Sequence, residues 1–248
     1  MALRSRVADK DNRIYYIVMC ILTLAYLAKI PLGLFSGEPM MVNFGKLLVD
    51  GSKSVTQIWD AIQMSGWLLY PFVYLYHSFI GSYDGIILFV RVLFVVIQLL
   101  LSLFTWRTLC RVCSSRQAQT ASVAAYLFVF NYYTIYYKNV LFWGTLLTVL
   151  LLIRYQRSYK IWNLILAAVV FFGTVLCYPT IALLIIPFTR FLLHDGGRMD
   201  RKKKVLLFWS ICAICALLFL MAIIQQLPGI SLREFLNIFL NLLGLGLE

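Results

Sequence analysis

The sequence predicts an all-α protein, a polytopic transmembrane helix bundle with about seven crossings and with interfacial helices in its first outer loop. Of its 248 residues, 62% are hydrophobic and only 13% are charged, whereas a soluble domain carries about 25% charged residues. The apolar residues form long blocks that short basic clusters separate. A soluble core could not hide so much apolar surface, so the pattern excludes an ordinary soluble domain.

The first apolar block, residues 14–32, follows a basic segment that we interpret as a cytoplasmic tail, residues 1–13. The block lacks a small-residue cleavage site and is long enough to span, so we predict an anchor and not a removed signal peptide. The formal net charge is +12, and the lysine and arginine residues that produce it lie at the ends of apolar blocks. It therefore indicates orientation in the plasma membrane, with the amino terminus inside, and no nucleic acid partner.

Basic clusters decide which apolar blocks cross the membrane. The spanning candidates are residues 14–32, 86–106, 120–137, 140–153, 161–178, 180–193 and 205–224. A further short block, residues 67–80, contains Pro71 and His77. If this block does not cross, the clusters that follow the later spans all face the cytoplasm, as the positive-inside rule requires. We therefore predict that it is interfacial or re-entrant.

The same rule divides the apolar stretch 161–193 into two passes. Pro179 marks the hinge, because proline removes a backbone donor and disfavours helical geometry in the residue before it. After the last span, residues 231–243 place their leucine and phenylalanine side chains on one helical face, so residues 225–248 are predicted to form an outer amphipathic tail. The sequence predicts a single transmembrane domain over residues 1–248 and also permits a fragment of a longer protein.

Two charged residues stand out as candidates for chemistry. Glu38 follows the first block closely, in the predicted outer loop 33–85, where a fixed carboxylate can act as a general base or hold a divalent cation. Asp50 and Asp60 in the same loop are better explained as solvated charges. Arg91 lies inside the second spanning block, where a cation must be paired, snorkel or meet an anionic ligand such as a lipid phosphate.

The six cysteines predict neither a disulfide framework nor a metal site. Cys110 and Cys113 have metal-like spacing, as do Cys212 and Cys215, but the two pairs are expected on opposite sides of the membrane. Beside Arg107 and its neighbours, the first pair is expected to be palmitoylated or simply reduced.

Four segments, taken together, resemble the membrane module of the GT-C glycosyltransferases, the class that includes protein O-mannosyltransferases and aminoarabinose transferases. Gly37-Glu38 is similar to the acidic pair after the first helix of that class, with glycine replacing the common aspartate. Residues 65–71 resemble its proline-bearing membrane-surface helix, Val90-Arg91 its arginine, and residues 178–184 the turn that joins two later helices. The second outer loop differs, because Tyr136-Tyr137-Lys138-Asn139 lacks the acid that the family often carries there.

The resemblance implies transfer of a sugar from a polyprenyl-phosphate donor to an acceptor on the outer face of the membrane, in the cell envelope. Glu38 would be the catalytic base. The substrate-binding residues would be Arg91, Lys138, His77, Asn139, Tyr70 and Gln63. The resemblance leaves a divalent cation open as a requirement, assigns no metal ligands, and makes membrane lipids and the lipid-linked sugar the partners.

Two other functions fit the sequence. A non-catalytic transporter or lipid flippase would use Arg91, Lys138 and His77 to line a polar path. An accessory subunit derived from a transferase would explain the acid missing from the second loop, and it would bring a membrane protein partner.

Overall fold

The computed structural model describes residues 2–33, 38–52, 65–129, 133–194, 200–225 and 233–234, with the side chains of 2–11 and 65 left aside. Within these ranges the chain is helical and has no strand. The helices are α1 (Ala2–Lys29), α2 (Glu38–Val49), α3 (Ser65–Ile80), α4 (Ile86–Leu109), α5 (Ser115–Leu127), α6 (Tyr137–Ser158), α7 (Ile161–Cys177), α8 (Ile185–His194) and α9 (Arg201–Gln225). The predicted residues Asp60 and Gln63 lie outside the described ranges, as does most of the predicted amphipathic tail.

Within the described ranges, three helices are long and apolar enough to cross a membrane: α4, α6 and α9. Large apolar side chains stay exposed on α4 and α9, and Leu217, Leu218 and Met221 on α9 are each more than half exposed. Such an outer surface suits lipid and not water. The predicted class, an all-α membrane bundle, is confirmed, whereas the number of crossings stays a prediction.

Two apolar clusters hold the bundle together. One joins α1, α2, α3, α4 and α5 to the first half of α6 and centres on fully buried Val73, Val90 and Phe94. The other joins the second half of α6 to α7, α8 and α9 around Leu164 and Phe208. Helix α6 contributes to both clusters and therefore connects the two halves.

The predicted boundaries of α5 and α6 are displaced. The sequence predicted spans at 120–137 and 140–153, whereas α5 covers Ser115–Leu127 and α6 covers Tyr137–Ser158. Helix α5 begins early because Ser114 and Gln117 form a capping box, in which each side chain bonds the other residue's backbone N–H. Hydropathy identifies apolar residues and not a polar helix cap, so the apolar pattern predicted the start of this helix at residue 120 instead of Ser115.

The hinge predicted at Pro179 is confirmed. Helix α7 ends at Cys177, Tyr178 is extended with φ −151° and ψ 93°, and Pro179 begins a short 3-10 turn to Leu184 that leads directly into α8. The residue before a proline avoids helical geometry for steric reasons, and this accounts for the break.

Helices α2 and α3 pack closely against each other. A methyl group added at Gly66 would lie 2.8 Å from Phe44 Cβ, and one added at Gly45 would lie 2.9 Å from Val73 Cγ2, so two glycines permit the contact. The Trp67 ring at the start of α3 lies 5.6 Å from Phe219, six residues before the end of α9. Helix α3 then ends a few residues before α4 begins. This placement supports the prediction that α3 does not cross.

Candidate functional site

Arg91 and Glu38 form a two-pronged ion pair between α4 and the start of α2. Arg91 Nε donates to Glu38 Oε1 at 2.9 Å, and Arg91 Nη2 donates to Glu38 Oε2 at 2.5 Å. Glu38 is 0% exposed and Arg91 is 3% exposed. An arginine fork matches the two oxygens of a carboxylate, so each buried charge meets its partner with the best available geometry.

The remaining donors of Arg91 bind the carboxyl end of α1. Nη1 donates to the carbonyl oxygens of Ile30 and Leu32 at 2.5 and 2.7 Å, and Nη2 donates to that of Gly33 at 2.5 Å. The last carbonyls of a helix have no partner within the helix, and their negative end favours a cation. All five N–H donors of the guanidinium therefore bind groups of this chain.

The site thus joins three segments that are distant in the sequence: the end of α1, the start of α2 and the second turn of α4. Sequence reasoning picked both charged residues and predicted their roles separately, with Arg91 facing a lipid phosphate. The structure brings them together. In this arrangement both carboxylate oxygens of Glu38 face Arg91 and the side chain is closed to solvent, so an acceptor hydroxyl does not reach it.

Lys138 and Asn139 lie at the start of α6. The Asn139 side chain is 1% exposed and donates from Nδ2 to the Thr134 carbonyl at 2.9 Å, which closes the turn before the helix. Lys138 is partly exposed, with Nζ 5.8 Å from the centre of the Tyr137 ring. Asn139 is thus engaged in local structure, whereas the ammonium group of Lys138 lies near the surface.

His77 and Tyr70 belong to α3 and face other aromatic rings. The His77 ring centre lies 4.6 Å from that of Tyr83, and the Tyr70 ring centre lies 6.0 Å from that of Tyr74. Both side chains are partly exposed. A role for either side chain at the Glu38–Arg91 pair stays a prediction.

A cavity of about 340 Å³ lies beside Arg91. Its walls are the end of α1 at Pro31, Leu32 and Gly33, the turn at residues 83–85, and the first turns of α4. Arg91 itself lines the cavity. The cavity offers space for an anionic group next to the ion pair.

Sequence reasoning missed two residues at this end of the bundle. Lys29 Nζ donates to Tyr133 Oη at 2.9 Å, and the ring of Tyr133 packs against Phe94, one turn from Arg91. Asp84 contributes to the wall of the cavity and is exposed. Lysine and arginine residues near the ends of apolar blocks were attributed to membrane orientation, so Lys29 was not considered as a site residue. Asp84 lies in a short turn between two apolar blocks and was not considered either.

No group of three or more His, Cys, Asp or Glu side chains comes together within the described ranges. The sequence left open whether a divalent cation is required, and the described residues offer no such cluster to hold one. Glu38, the acid that sequence reasoning favoured, already has both oxygens on Arg91.

One comparison with known families gives a match across the bundle. The model of a family described as the Alg9-like mannosyltransferase family matches residues 15–226. No curated protein and no solved structure gives a significant match. The matched range begins in α1 and runs through the last residue of α9, so it contains both partners of the buried ion pair.

Proposed function

The chain belongs to the Alg9-like mannosyltransferase family, a family of GT-C type glycosyltransferases, and we propose that it moves a sugar from a polyprenyl-phosphate donor to an acceptor at the outer face of the membrane. The family makes mannose the first sugar to test. The main support for a site at this position is the buried pair of Glu38 and Arg91, which brings the acid of the first loop into contact with the cation inside the second spanning block.

The pair supplies both chemical groups that the transfer needs, provided that Arg91 exchanges its partner. A guanidinium fork fits a phosphate as well as a carboxylate. When the donor phosphate enters the adjacent cavity and takes the fork, the carboxylate of Glu38 is released. The binding energy of the donor then prepares the base, so the base is available only when the donor is present.

The reaction balances as a single displacement at the anomeric carbon of the sugar. The acceptor oxygen forms a bond to that carbon while the bond from the carbon to the phosphate oxygen breaks. The acceptor proton passes to Glu38, and the polyprenyl phosphate leaves with the electron pair. Arg91 stabilises the negative charge that grows on the departing phosphate. Lys138, on the partly exposed start of α6, is proposed to add a second cation.

Tyr70, His77, Asn139 and Gln63 are proposed to contact substrate less directly. Tyr70 and His77 lie partly exposed on α3. Asn139 supports the turn that presents Lys138. Gln63 lies outside the described residues.

A transfer assay with Glu38→Gln tests the exchange. Purified protein is given polyprenyl-phosphate mannose, and both turnover and donor binding are measured. Loss of a general base lowers turnover about 10²- to 10⁴-fold. Donor binding is expected to persist or tighten, because the neutral amide competes less strongly for Arg91. Asp50→Asn is the matched control, since Asp50 closes the end of the same helix and accepts from Tyr83 Oη at 2.5 Å.

Two results contradict the proposal. Undiminished turnover by Glu38→Gln removes this residue as the base. Equal loss of turnover in Glu38→Gln and Asp50→Asn assigns both changes to damage in the loop. Arg91→Met is the third variant. If Arg91 binds the donor phosphate, this variant is expected to lose donor binding.

The closed state of the pair favours one other function, that of an accessory subunit derived from a transferase. Glu38 is 0% exposed and bonded through both oxygens, which suits a purely structural pair. In that case wild-type protein shows no turnover alone, and a constant membrane protein partner accompanies it on purification.

A further inference from the structure

The opposite end of the bundle carries a cluster of arginines on one face of α4. Phe104, Arg107 and Thr108 follow the i, i+3 and i+4 spacing that places side chains on one side of α4, and Arg111 follows in the turn after the helix, which ends at Leu109. Arg154 of α6 packs against this face, with its guanidinium carbon 4.2 Å from the centre of the Phe104 ring. The three arginines therefore converge between the last turns of α4 and α6.

The charges in this cluster repel one another. Arg111 and Arg107 are close enough to act electrostatically on Arg154. Within the described part of the chain, no carboxylate forms an ion pair with any of the three. Arg154 is partly buried, and Arg107 and Arg111 are exposed beside it. Like charges at close range repel, most strongly where Arg154 is withdrawn from water, so an external anion at this position lowers the energy of the fold.

Buried polar atoms without a partner point to the same place. Within the described ranges, Trp106 Nε1, Thr108 Oγ1 and Arg154 Nε lack a hydrogen-bond partner. Trp106 packs against Tyr15 and Tyr16 of α1, on another side of α4, whereas Thr108 Oγ1 and Arg154 Nε belong to the arginine cluster. Thr108 is 0% exposed and lies one helical turn after Phe104, the residue whose ring Arg154 contacts. Buried polar groups are nearly always paired, so an unpaired hydroxyl and an unpaired guanidinium N–H together indicate an acceptor from outside the chain.

We propose that Arg107, Thr108, Arg111 and Arg154 bind a phosphate group, supplied by an anionic phospholipid whose headgroup lies at the end of α4 and α6. A phosphate presents several acceptor oxygens and matches the arginine fork. The ends of two spanning helices place the cluster at headgroup depth, where anionic lipids attract basic side chains. This site is separate from the Glu38–Arg91 pair, and it does not depend on the proposed transfer.

Native mass spectrometry of the purified full chain tests the site. Delipidated protein is titrated with phosphatidylglycerol and with phosphatidylcholine of the same chain length. Wild-type protein is expected to retain phosphatidylglycerol preferentially, and Arg154→Gln is expected to weaken retention about tenfold, which corresponds to about 1.4 kcal/mol. Arg157→Gln is the matched control, because Arg157 is an exposed arginine of the same helix end. Equal weakening by the two variants overturns the proposal in favour of a diffuse basic surface.

Thr108→Val provides a test that does not rely on a charge change. Valine has the shape of threonine without the hydroxyl, so the variant is expected to fold. It removes a buried polar atom that has no partner in the described ranges, and it should therefore raise the unfolding temperature of lipid-free protein while it weakens phosphatidylglycerol retention. A lower unfolding temperature together with unchanged retention contradicts the site.

A competition experiment with inorganic phosphate distinguishes a phospholipid headgroup from free phosphate as the ligand. If millimolar phosphate leaves the bound phosphatidylglycerol in place, the site belongs to a lipid headgroup. If phosphate displaces the lipid from wild-type protein and binds Arg154→Gln less well, the arginine cluster is supported and its ligand is a free phosphate. Failure of both ligands to bind wild-type protein overturns the proposal. Arg111→Gln, in the turn after α4, repeats the test if Arg154→Gln fails to fold.

Discussion

Arg91 donates through Nε and Nη2 to the two carboxylate oxygens of Glu38, across 53 positions of the sequence. The other donors of the guanidinium hold the last carbonyls of α1. One arginine therefore fixes the relative positions of α1, α2 and α4. Loss of either charge leaves the other buried without its partner.

Arg91→Met is accordingly expected to destabilise the protein by about 3 to 5 kcal/mol, the usual cost of breaking a buried ion pair from one side. Glu38→Gln should cost less, because the amide oxygen still accepts from Arg91. In the double variant the losses should fall short of their sum by about 0.5 to 3 kcal/mol. Thermal unfolding of the four proteins in detergent measures this coupling. Strictly additive losses would show that the pair contributes no mutual stabilisation.

Gln98 is the next buried polar residue along α4, and it satisfies the end of α5. Its Nε2 lies 2.8 Å from the carbonyl oxygens of both Ala125 and Tyr126, and its Oε1 accepts from Trp143 Nε1. Helix α5 has only 13 residues, so its last carbonyls end inside the bundle and need an internal donor.

Gln98→Leu is expected to lower the free energy of unfolding by about 1 to 3 kcal/mol for each carbonyl or indole left unpaired. The measurement is thermal unfolding in detergent. Gln156→Leu, the same change at a partly exposed position of α6, provides the control. An unfolding temperature for Gln98→Leu equal to that of wild-type protein would mean that water replaces the side chain.

Two glycines that line the same apolar groove should respond in opposite ways to alanine. A methyl group at Gly144 would lie 2.9 Å from Thr174 Cβ, whereas one at Gly173 meets no atom within 4 Å. Gly144→Ala therefore forces α6 and α7 apart and is expected to cost about 1 to 3 kcal/mol. Gly173→Ala should be neutral or slightly stabilising, because alanine is the better helix former. Similar unfolding temperatures for the two variants would contradict close packing of α6 against α7.

The sequence was sufficient for the fold class but not for the site. Long apolar blocks and a proline predicted the bundle and the break at Pro179, because both depend on local chemistry. The contact between Glu38 and Arg91 depends on how three distant segments pack, which periodicity does not encode. For the same reason the sequence left open whether Arg91 is paired, snorkels or meets an anionic ligand such as a lipid phosphate. The early start of α5 escaped detection because the capping residue Ser114 is polar and lies outside the apolar pattern.

Orientation in the membrane provides the last prediction, because the basic end and the Glu38 end of the bundle must lie on opposite sides. Cys110 follows α4 at the basic end, and Ser82 lies in the turn before α4. In a cysteine-free background, Cys110 alone should react with an impermeant maleimide only after the cells are permeabilised, whereas Ser82→Cys should react in intact cells. Partial desolvation raises the pKa of the Cys110 thiol, and this cause remains when Cys113 is removed with the other cysteines. Thiolate is the reactive form, so labelling of both variants at pH about 8.5 keeps the comparison fair. Labelling of Cys110 in intact cells would invert the bundle and place the Glu38–Arg91 site on the cytoplasmic side.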